Sequence, residues 1–339
     1  MAKSRNHPEQ SMSLEPTRRG FLAAVGTLPL LGIARDARAA DAWPSRPVKM
    51  IVSYPAGGAN DLVARSVSTA MEKALNATVI VDNRSGAAGV IGAEAAAKSP
   101  PDGYTLYMMS SAQVLAPSLR KTLPYDPVRD FTAIALSARS SYVLAVHPSV
   151  PLKTMAELIA YAKANPGKLN YASSGVGAGP HLATELFASM ADVKLTHVPY
   201  RGDTPALTDL VAGQVQMSFM SIAPAVPHVK SGALRALAVA SGKRFPSLPD
   251  VPTVAEAGLP GYDVGSWWGL VAPAGTPREV IQRAEGVVVP FLREASTAAR
   301  FLEMGLQPGE LGAEAFQRYI AAEKDKLADI VKRAGIQAE

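Results

Sequence analysis

Short apolar, β-branched runs alternate along this chain with stretches whose apolar residues recur every three to four positions. That alternation dictates an α/β fold. Strands are expected at 48–52, 78–81 and 105–109, with helices at 61–75 and 89–98 between them. Consecutive strands separated by helices pair in parallel, and the helices then cover the faces of the sheet. In the first helix Val63, Val67, Ala70, Met71 and Ala74 make one apolar stripe, while Arg65 and Lys73 face water. A second series follows, with strands at 142–146, 168–171, 195–198, 217–220 and 234–239 and helices at 158–164, 181–190 and 204–212. The 339 residues, 48% hydrophobic, suffice for two cores. Two doubly wound series without a low-complexity linker predict two lobes joined by crossing strands: 46–142 plus 266–339, and 143–265. No internal repeat is visible in the sequence.

Three helix starts are written as capping boxes, a Thr with a Glu three residues on: Thr154/Glu157, Thr253/Glu256 and Thr276/Glu279, the last with Pro277 expected at the first helical position. The final helix, 313–334, carries Phe316, Ile320, Leu327, Ile330 and Val331 on one stripe and stops at Gly335. The proline-rich stretch 245–265 is the irregular return from the second lobe.

The N-terminus reads as an export leader. Arg18-Arg19 precede Phe21-Leu22, an apolar run continues to Ile33, and Ala37-Arg38-Ala39 supplies a small-residue cleavage site. Residues 1–39 are therefore expected to be a cleaved signal peptide of the twin-arginine type. The apolar run is shorter than the ~20 residues of a spanning helix and contains Pro29, so the mature chain is not expected to insert in a membrane. The leader holds six of the 34 basic residues and three of the 29 acidic ones, which leaves a nearly neutral mature chain at about +2. Nucleic acid, which needs a concentrated basic face, is thereby disfavoured as a partner. The absence of cysteine removes disulfides, thiol nucleophiles, cysteine-ligated metals and a lipid-modified terminus together. The expectation is a freely diffusing monomer in a periplasm.

Three glycine-rich loops can carry chemistry. Tyr54-Pro55-Ala56-Gly57-Gly58-Ala59-Asn60-Asp61 lies between a strand and a helix, where backbone N–H groups and the helix dipole favour an anion. It lacks the Lys-Ser/Thr ending of a phosphate-binding loop, and no G-x-G-x-x-G spacing is present. Its counterpart, Tyr171 to His181, holds Ser173, Ser174, Gly175, Gly177 and Gly179 in the same strand-to-helix position. In open α/β sheets ligands bind beyond the carboxyl ends of strands, so two such loops facing each other would form a cleft. Either loop also reads as a plain turn. In the third, Asp82 to Gly92, Arg84 either faces a ligand or pairs with an acidic neighbour. His181 either touches a ligand or supports its loop, and Trp267-Trp268 either wall the cleft or pack at the crossing.

An enzyme is not expected. Ser173 and Ser174 do not sit in a G-x-S-x-G elbow, no sequence signal assigns them a base, and the five histidines form no close ligand pair. No cofactor or metal is expected. An exported α/β enzyme acting on a small acid or ester remains the competing reading.

Taken in order, Pro55-Ala56-Gly57-Gly58 with Asp61, Asp82-Asn83-Arg84, Pro101-Asp102-Gly103-Tyr104, Leu123-Pro124-Tyr125-Asp126-Pro127, Tyr171-Ala172-Ser173-Ser174-Gly175, His197-Val198-Pro199-Tyr200-Arg201-Gly202, Pro249-Asp250-Val251-Pro252-Thr253 and Ala272-Pro273-Ala274-Gly275-Thr276-Pro277 resemble the Bug family, the extracytoplasmic solute receptors of tripartite tricarboxylate transporters. The resemblance implies a type II periplasmic-binding fold that closes on a small organic carboxylate and hands it to membrane transporter components, or presents it to a sensor protein. It places Tyr54, Ala56, Gly58, Asn60 and Asp61 on one wall, Ser173, Ser174, Gly175, Gly177 and His181 on the other, and Gln113 at a further cleft-facing loop. Two departures stand out: Met220-Ser221 replaces an acidic or amide pair, and Arg201 replaces a lysine. Met220 would make its wall more apolar, which favours a ligand with hydrophobic or aromatic character.

Overall fold

A computed structural model describes residues 43–333 and Gly335. The expected signal peptide, 1–39, lies outside the described residues, as does residue 334 of the final helix. The elements run β1 (Val48–Val52), α1 (Ala59–Leu75), β2 (Val79–Asn83), a 3-10 turn (Ala87–Gly89), α2 (Val90–Ala97), β3 (Thr105–Ser110), α3 (Ser111–Leu119), β4 (Phe131–Val146), α4 (Met155–Ala164), β5 (Asn170–Ser173), α5 (Gly179–Ala191), β6 (Thr196–Pro199), α6 (Asp203–Val211), β7 (Met217–Ser221), α7 (Ile222–Lys230), β8 (Arg235–Val239), β9 (Gly265–Pro273), α8 (Arg278–Leu292), α9 (Ala295–Glu303), β10 (Gln307–Pro308) and α10 (Ala313–Arg333).

The sheet has two halves that share β4. From Phe131 to Ser141 this strand pairs antiparallel with β9, and from Tyr142 to Val146 it pairs antiparallel with β7 and β8. The first half is ordered β2-β1-β3-β9-β4 and the second β6-β5-β7-β4-β8. Each half therefore contains three parallel strands, one antiparallel strand arriving from the other half, and a fifth strand beside it. The same topology is built twice although no repeat is legible in the sequence. β4 also begins eleven residues earlier than expected. Its first part is buried almost throughout, because both faces of a central strand are covered, so it shows no polar alternation.

In α1 the buried stripe is Val63, Ala64, Val67 and Met71, whereas Ala70 is half-buried and Ala74 exposed. The α10 stripe is buried as expected, with Glu323 added to it. Phe316 meets Trp267 edge-on at 5.5 Å and lies over Gly269, where an added Cβ would fall 2.1 Å from its ring. Leu327, Ile330 and Val331 belong to one apolar cluster with Leu115 of the first half and Leu158 and Leu186 of the second. α10 thus packs on α3 and β4 and reaches α5.

The capping boxes have three different outcomes. Thr154/Glu157 caps α4 reciprocally. Thr253 and Glu256 exchange the same bonds, at 2.8 and 3.0 Å, but close a turn rather than a helix. Thr276 caps nothing: its hydroxyl donates to the Pro273 carbonyl at 2.8 Å, Pro277 is the N-cap, and α8 starts at Arg278. An unanticipated box, Ser110/Gln113, caps α3.

Gly269→Val should destabilise the protein by roughly 1–3 kcal/mol, because Phe316 and the Ala135 carbonyl leave no room for a side chain. A lower urea midpoint with an unchanged m-value is the expected result.

Candidate functional site

The two glycine loops share one local design. After β1, Gly57 takes φ +87°, Gly58 is extended (φ −77°, ψ 167°), and α1 begins. After β5, Gly177 takes φ +75°, Ala178 is extended (φ −71°, ψ 159°), and α5 begins. In each, the glycine N–H donates to the side chain four residues on: Gly57 to Asp61 Oδ2 at 2.9 Å, Gly177 to His181 Nδ1 at 3.0 Å. Neither helix has a side-chain cap. The first intrahelical donors are Leu62 and Leu182, so the N–H groups of Ala59, Asn60 and Asp61, and of Gly179 and His181, have no helical partner. Open donors at the positive end of a helix dipole are what an anion requires.

The buried residues of the first loop hold it in place. Asp61 is 1% exposed and has both oxygens occupied, Oδ2 by Gly57 N and Arg65 Nε, Oδ1 by Asn83 Nδ2 at 2.9 Å. Asn83 also donates to the Tyr54 carbonyl at 3.0 Å. Gln113, fully buried, accepts from Ser110 N and Oγ and donates to the Tyr54 hydroxyl at 3.2 Å. Only a glycine at 89 permits this, since an added Cβ would fall 2.2 Å from Gln113 Nε2. Asn60 donates to the Met108 carbonyl, while its Oδ1 is buried without a donor. Arg84 resolves to the ion-pair alternative, 2.9 Å from Asp82.

The second loop rests on a stack of rings. Tyr171, His197 and His181 lie nearly parallel, with centroids 4.7 and 4.2 Å apart. Tyr171 donates to Glu185, and His181 Nε2 lies 3.9 Å from the same carboxylate. Ser173, 1% exposed, is 2.6 Å from His197 Nε2 and also exchanges bonds with the Gly175 backbone. His197 is the residue the sequence reading missed. It arrives from the neighbouring strand β6, paired with Tyr171 in the β5–β6 ladder.

At the crossing, Tyr142 meets Ser266 Oγ at 2.6 Å, and an added Cβ at Gly179 would fall 1.8 Å from its hydroxyl. The first turn of α5 therefore sits directly on the strand that joins the halves. Gly177 faces Leu119 of α3, with 3.2 Å available to an added Cβ. Met220 is 1% exposed and packs with Val143 and Ala172, and the residue at the carboxyl end of β7 is Ser221, which donates to Asp203 at 2.8 Å. Trp267, 1% exposed, resolves to packing at the crossing. Of the residues expected in the site, Tyr54, Ala56, Gly58, Ser174, Gly175 and Gly177 reach the surface of the two loops, whereas Asn60, Asp61, Gln113, Ser173, His181 and Met220 are buried around them.

Residues 63–336 match the family model described as "Tripartite tricarboxylate transporter family receptor". The chain belongs to this family. The receptor is 35% identical to the protein BugT of Bordetella pertussis over 318 residues, 93% of this chain and 97% of that one. Among solved structures it resembles an R. palustris protein with adipate (37% identity, TM-score 0.75, 88% of this chain and all of that one). It also resembles MatC from Rhodopseudomonas palustris with bound malate (32%, TM-score 0.70, 85% and 100%), and the periplasmic binding protein BugD (34%, TM-score 0.71, 88% and 100%). The two-lobed periplasmic-binding fold expected from the sequence is thus the fold of the receptor, and its family is one of solute receptors rather than enzymes. No helix among the described residues is long and apolar enough to cross a membrane.

The electrostatics of the receptor suit a rigid cradle better than acid–base chemistry. Burial works to raise the Asp61 pKa, but the bonds from Arg65, Gly57 and Asn83 prevail and hold it below the usual value. Burial, then the neighbouring His181, press the His197 pKa down from 6.5 to about 4, against an opposing pull from Glu185. Burial also lowers that of His181. At neutral pH both imidazoles are uncharged, and a His197 of such low basicity is a poor base for Ser173.

Two outcomes follow. Asp61→Ala should loosen the first loop, exposing the Gly57 backbone amide to exchange measured by hydrogen–deuterium mass spectrometry. Because His197 binds a proton less readily when folded than when unfolded, its neutral form supports stability fully above pH 6.5. That support is lost as pH falls towards about 4. His197→Gln should therefore flatten the decline in Tm across this window.

Proposed function

We propose that the receptor binds a small dicarboxylate between its two glycine loops, without chemistry, and delivers it to the membrane components of a tripartite transporter. The observation that carries this reading is the pair of uncapped helix N-termini, α1 and α5, one from each half, each behind an extended cap residue. One carboxylate would rest on the N–H groups following Gly58, with Tyr54 and Ala56 beside it. The other would rest on Ser174, Gly175 and Gly177 of the second loop. The adipate and malate held by two related structures support a ligand with two carboxylates. Met220 gives no support to an aromatic ligand, since its side chain belongs to the core.

Closure would bring together lobes at 46–142 plus 266–339 and 143–265, hinged where β4 changes partners. It would follow from tighter binding of the ligand by the closed state. Residues 1–39 would direct export by the twin-arginine route and be cleaved, releasing a monomer into the periplasm.

A thermal-shift panel of mono-, di-, tri- and aromatic carboxylates tests this reading, because a ligand that binds the folded state raises Tm. Dicarboxylates should give the largest shift and be recovered unchanged. Gly58→Val fits its backbone, with φ −77° and the nearest contact of its Cβ at 3.7 Å, yet places a branched side chain over the open donors. Hydrogen bonds to charged groups contribute about 1.5–3 kcal/mol, so the Kd should rise at least about tenfold while the unliganded Tm stays unchanged. An unchanged Kd would overturn the anion-cradle model.

A further inference from the structure

A large cavity lies at the strand crossing, away from both glycine loops. It encloses about 840 Å³, within the range of about 300–1,000 Å³ typical of small-molecule sites. Arg139, Ser140 and Ser141 of β4 and Gly265, Ser266 and Trp267 of β9 all line this cavity, whereas Tyr142 turns to Gly179 and the glycine loops. This rear cavity thus lies along the crossing strands and reaches neither glycine loop.

Its walls come from both halves. Ser241 to Pro246 belong to the second half, and the end of α8, α9, the β10 segment and α10 to the first. Ser241 N donates to Ser141 Oγ at 2.9 Å, which ties the second-half wall directly to the crossing strand.

Five cationic side chains line it against three carboxylates, an excess that favours an anionic ligand. The floor is apolar, with Trp267, Phe245 and Leu306 all 2% exposed or less. Lys326 pairs with Glu323 at 2.7 Å and with Asp263 at 3.8 Å, Arg244 pairs with Glu256 at 3.0 Å, and Glu310 lines the cavity as well. Arg139, Lys243 and Arg293 also line the cavity and make no ion pair among the described residues. Arg139 sits over the Tyr319 ring, its Cζ 4.8 Å from the centroid, so its position is set without a carboxylate.

We propose that this cavity is a second binding site, for an organic anion with an apolar body, and that filling it favours closure of the glycine-loop cleft. The coupling rests on the reading of the two halves as hinged lobes. Because both halves wall the rear cavity, an occupant bridges them and biases the angle between them, which is the angle that closure of the cleft changes. By linkage, the cleft ligand tightens binding at the rear by the same factor.

The test uses 1-anilinonaphthalene-8-sulfonate as probe, read by energy transfer from tryptophan, since Trp267 lines the cavity. Saturable one-to-one binding is expected, weakened at least about tenfold by Lys243→Glu with Arg293→Glu, because removing two charge-assisted contacts costs about that much or more. Both side chains are exposed, so the variant should fold normally. Gly58→Val should leave probe binding intact. Absence of saturable binding, equal binding by the charge-reversed variant, or loss in Gly58→Val would overturn the rear site.

With the probe saturating, the affinity for the carboxylate giving the largest thermal shift should rise about fivefold or more, and the radius of gyration in solution scattering should fall. Unchanged or weaker carboxylate affinity would overturn the coupling. If no carboxylate binds at all, the proposed function fails, while the probe titration still decides the rear site and the scattering still decides the coupling.

Discussion

One strand belongs to two sheets, and the remaining architecture follows from that constraint. β4 gives its first eleven residues to β9 and its last five to β7 and β8, so the halves cannot be separated without breaking a continuous ladder. The exchange of partners falls between Ser141 and Tyr142. Gly265, opposite Ser141, has no room for a side chain, because an added Cβ would fall 2.6 Å from the Ser140 carbonyl. The crossing is therefore close-packed at the backbone.

The glycine loops show how a protein keeps donors open without letting the loop collapse onto them. A conventional cap, as Thr154 provides for α4, would consume the N–H groups at the start of α1 or α5. The receptor instead leaves these helices uncapped and fixes each loop from below, through Asp61 and Asn83 in one case and the Tyr171–His197–His181 stack in the other. Buried polar networks of this kind rigidify only when nearly every member is satisfied. Asn60 Oδ1 is the exception in the first loop.

Much of this was legible in the sequence, for identifiable reasons. The alternation of apolar runs located β1, β3, β5 and β7 closely, and the glycine loops announced themselves between strand and helix. Exposure, by contrast, is set by tertiary contacts: nothing in the order of residues separates Gly58, at the surface, from Asp61, sealed beneath it by Arg65 and Asn83. His197 escaped notice because its partnership with Ser173 spans 24 residues and depends on the β5–β6 register. The first part of β4 escaped because a strand covered on both faces has no period to detect. The cap expected at Thr276 failed because its hydroxyl had a nearer acceptor in the Pro273 carbonyl.

The return of the chain from the second half through β9 bears on how the molecule must be made. β3 and β4 are translated long before β9, which lies between them, and α10, whose stripe fills a cluster drawing on both halves, follows later still. A nascent chain that ends anywhere before Pro273 has an open groove in its first sheet and no cover for Leu115 or Leu186. The first half is thus begun before the second and completed after it, and the cluster shared by the two halves cannot be sealed before α10 is made.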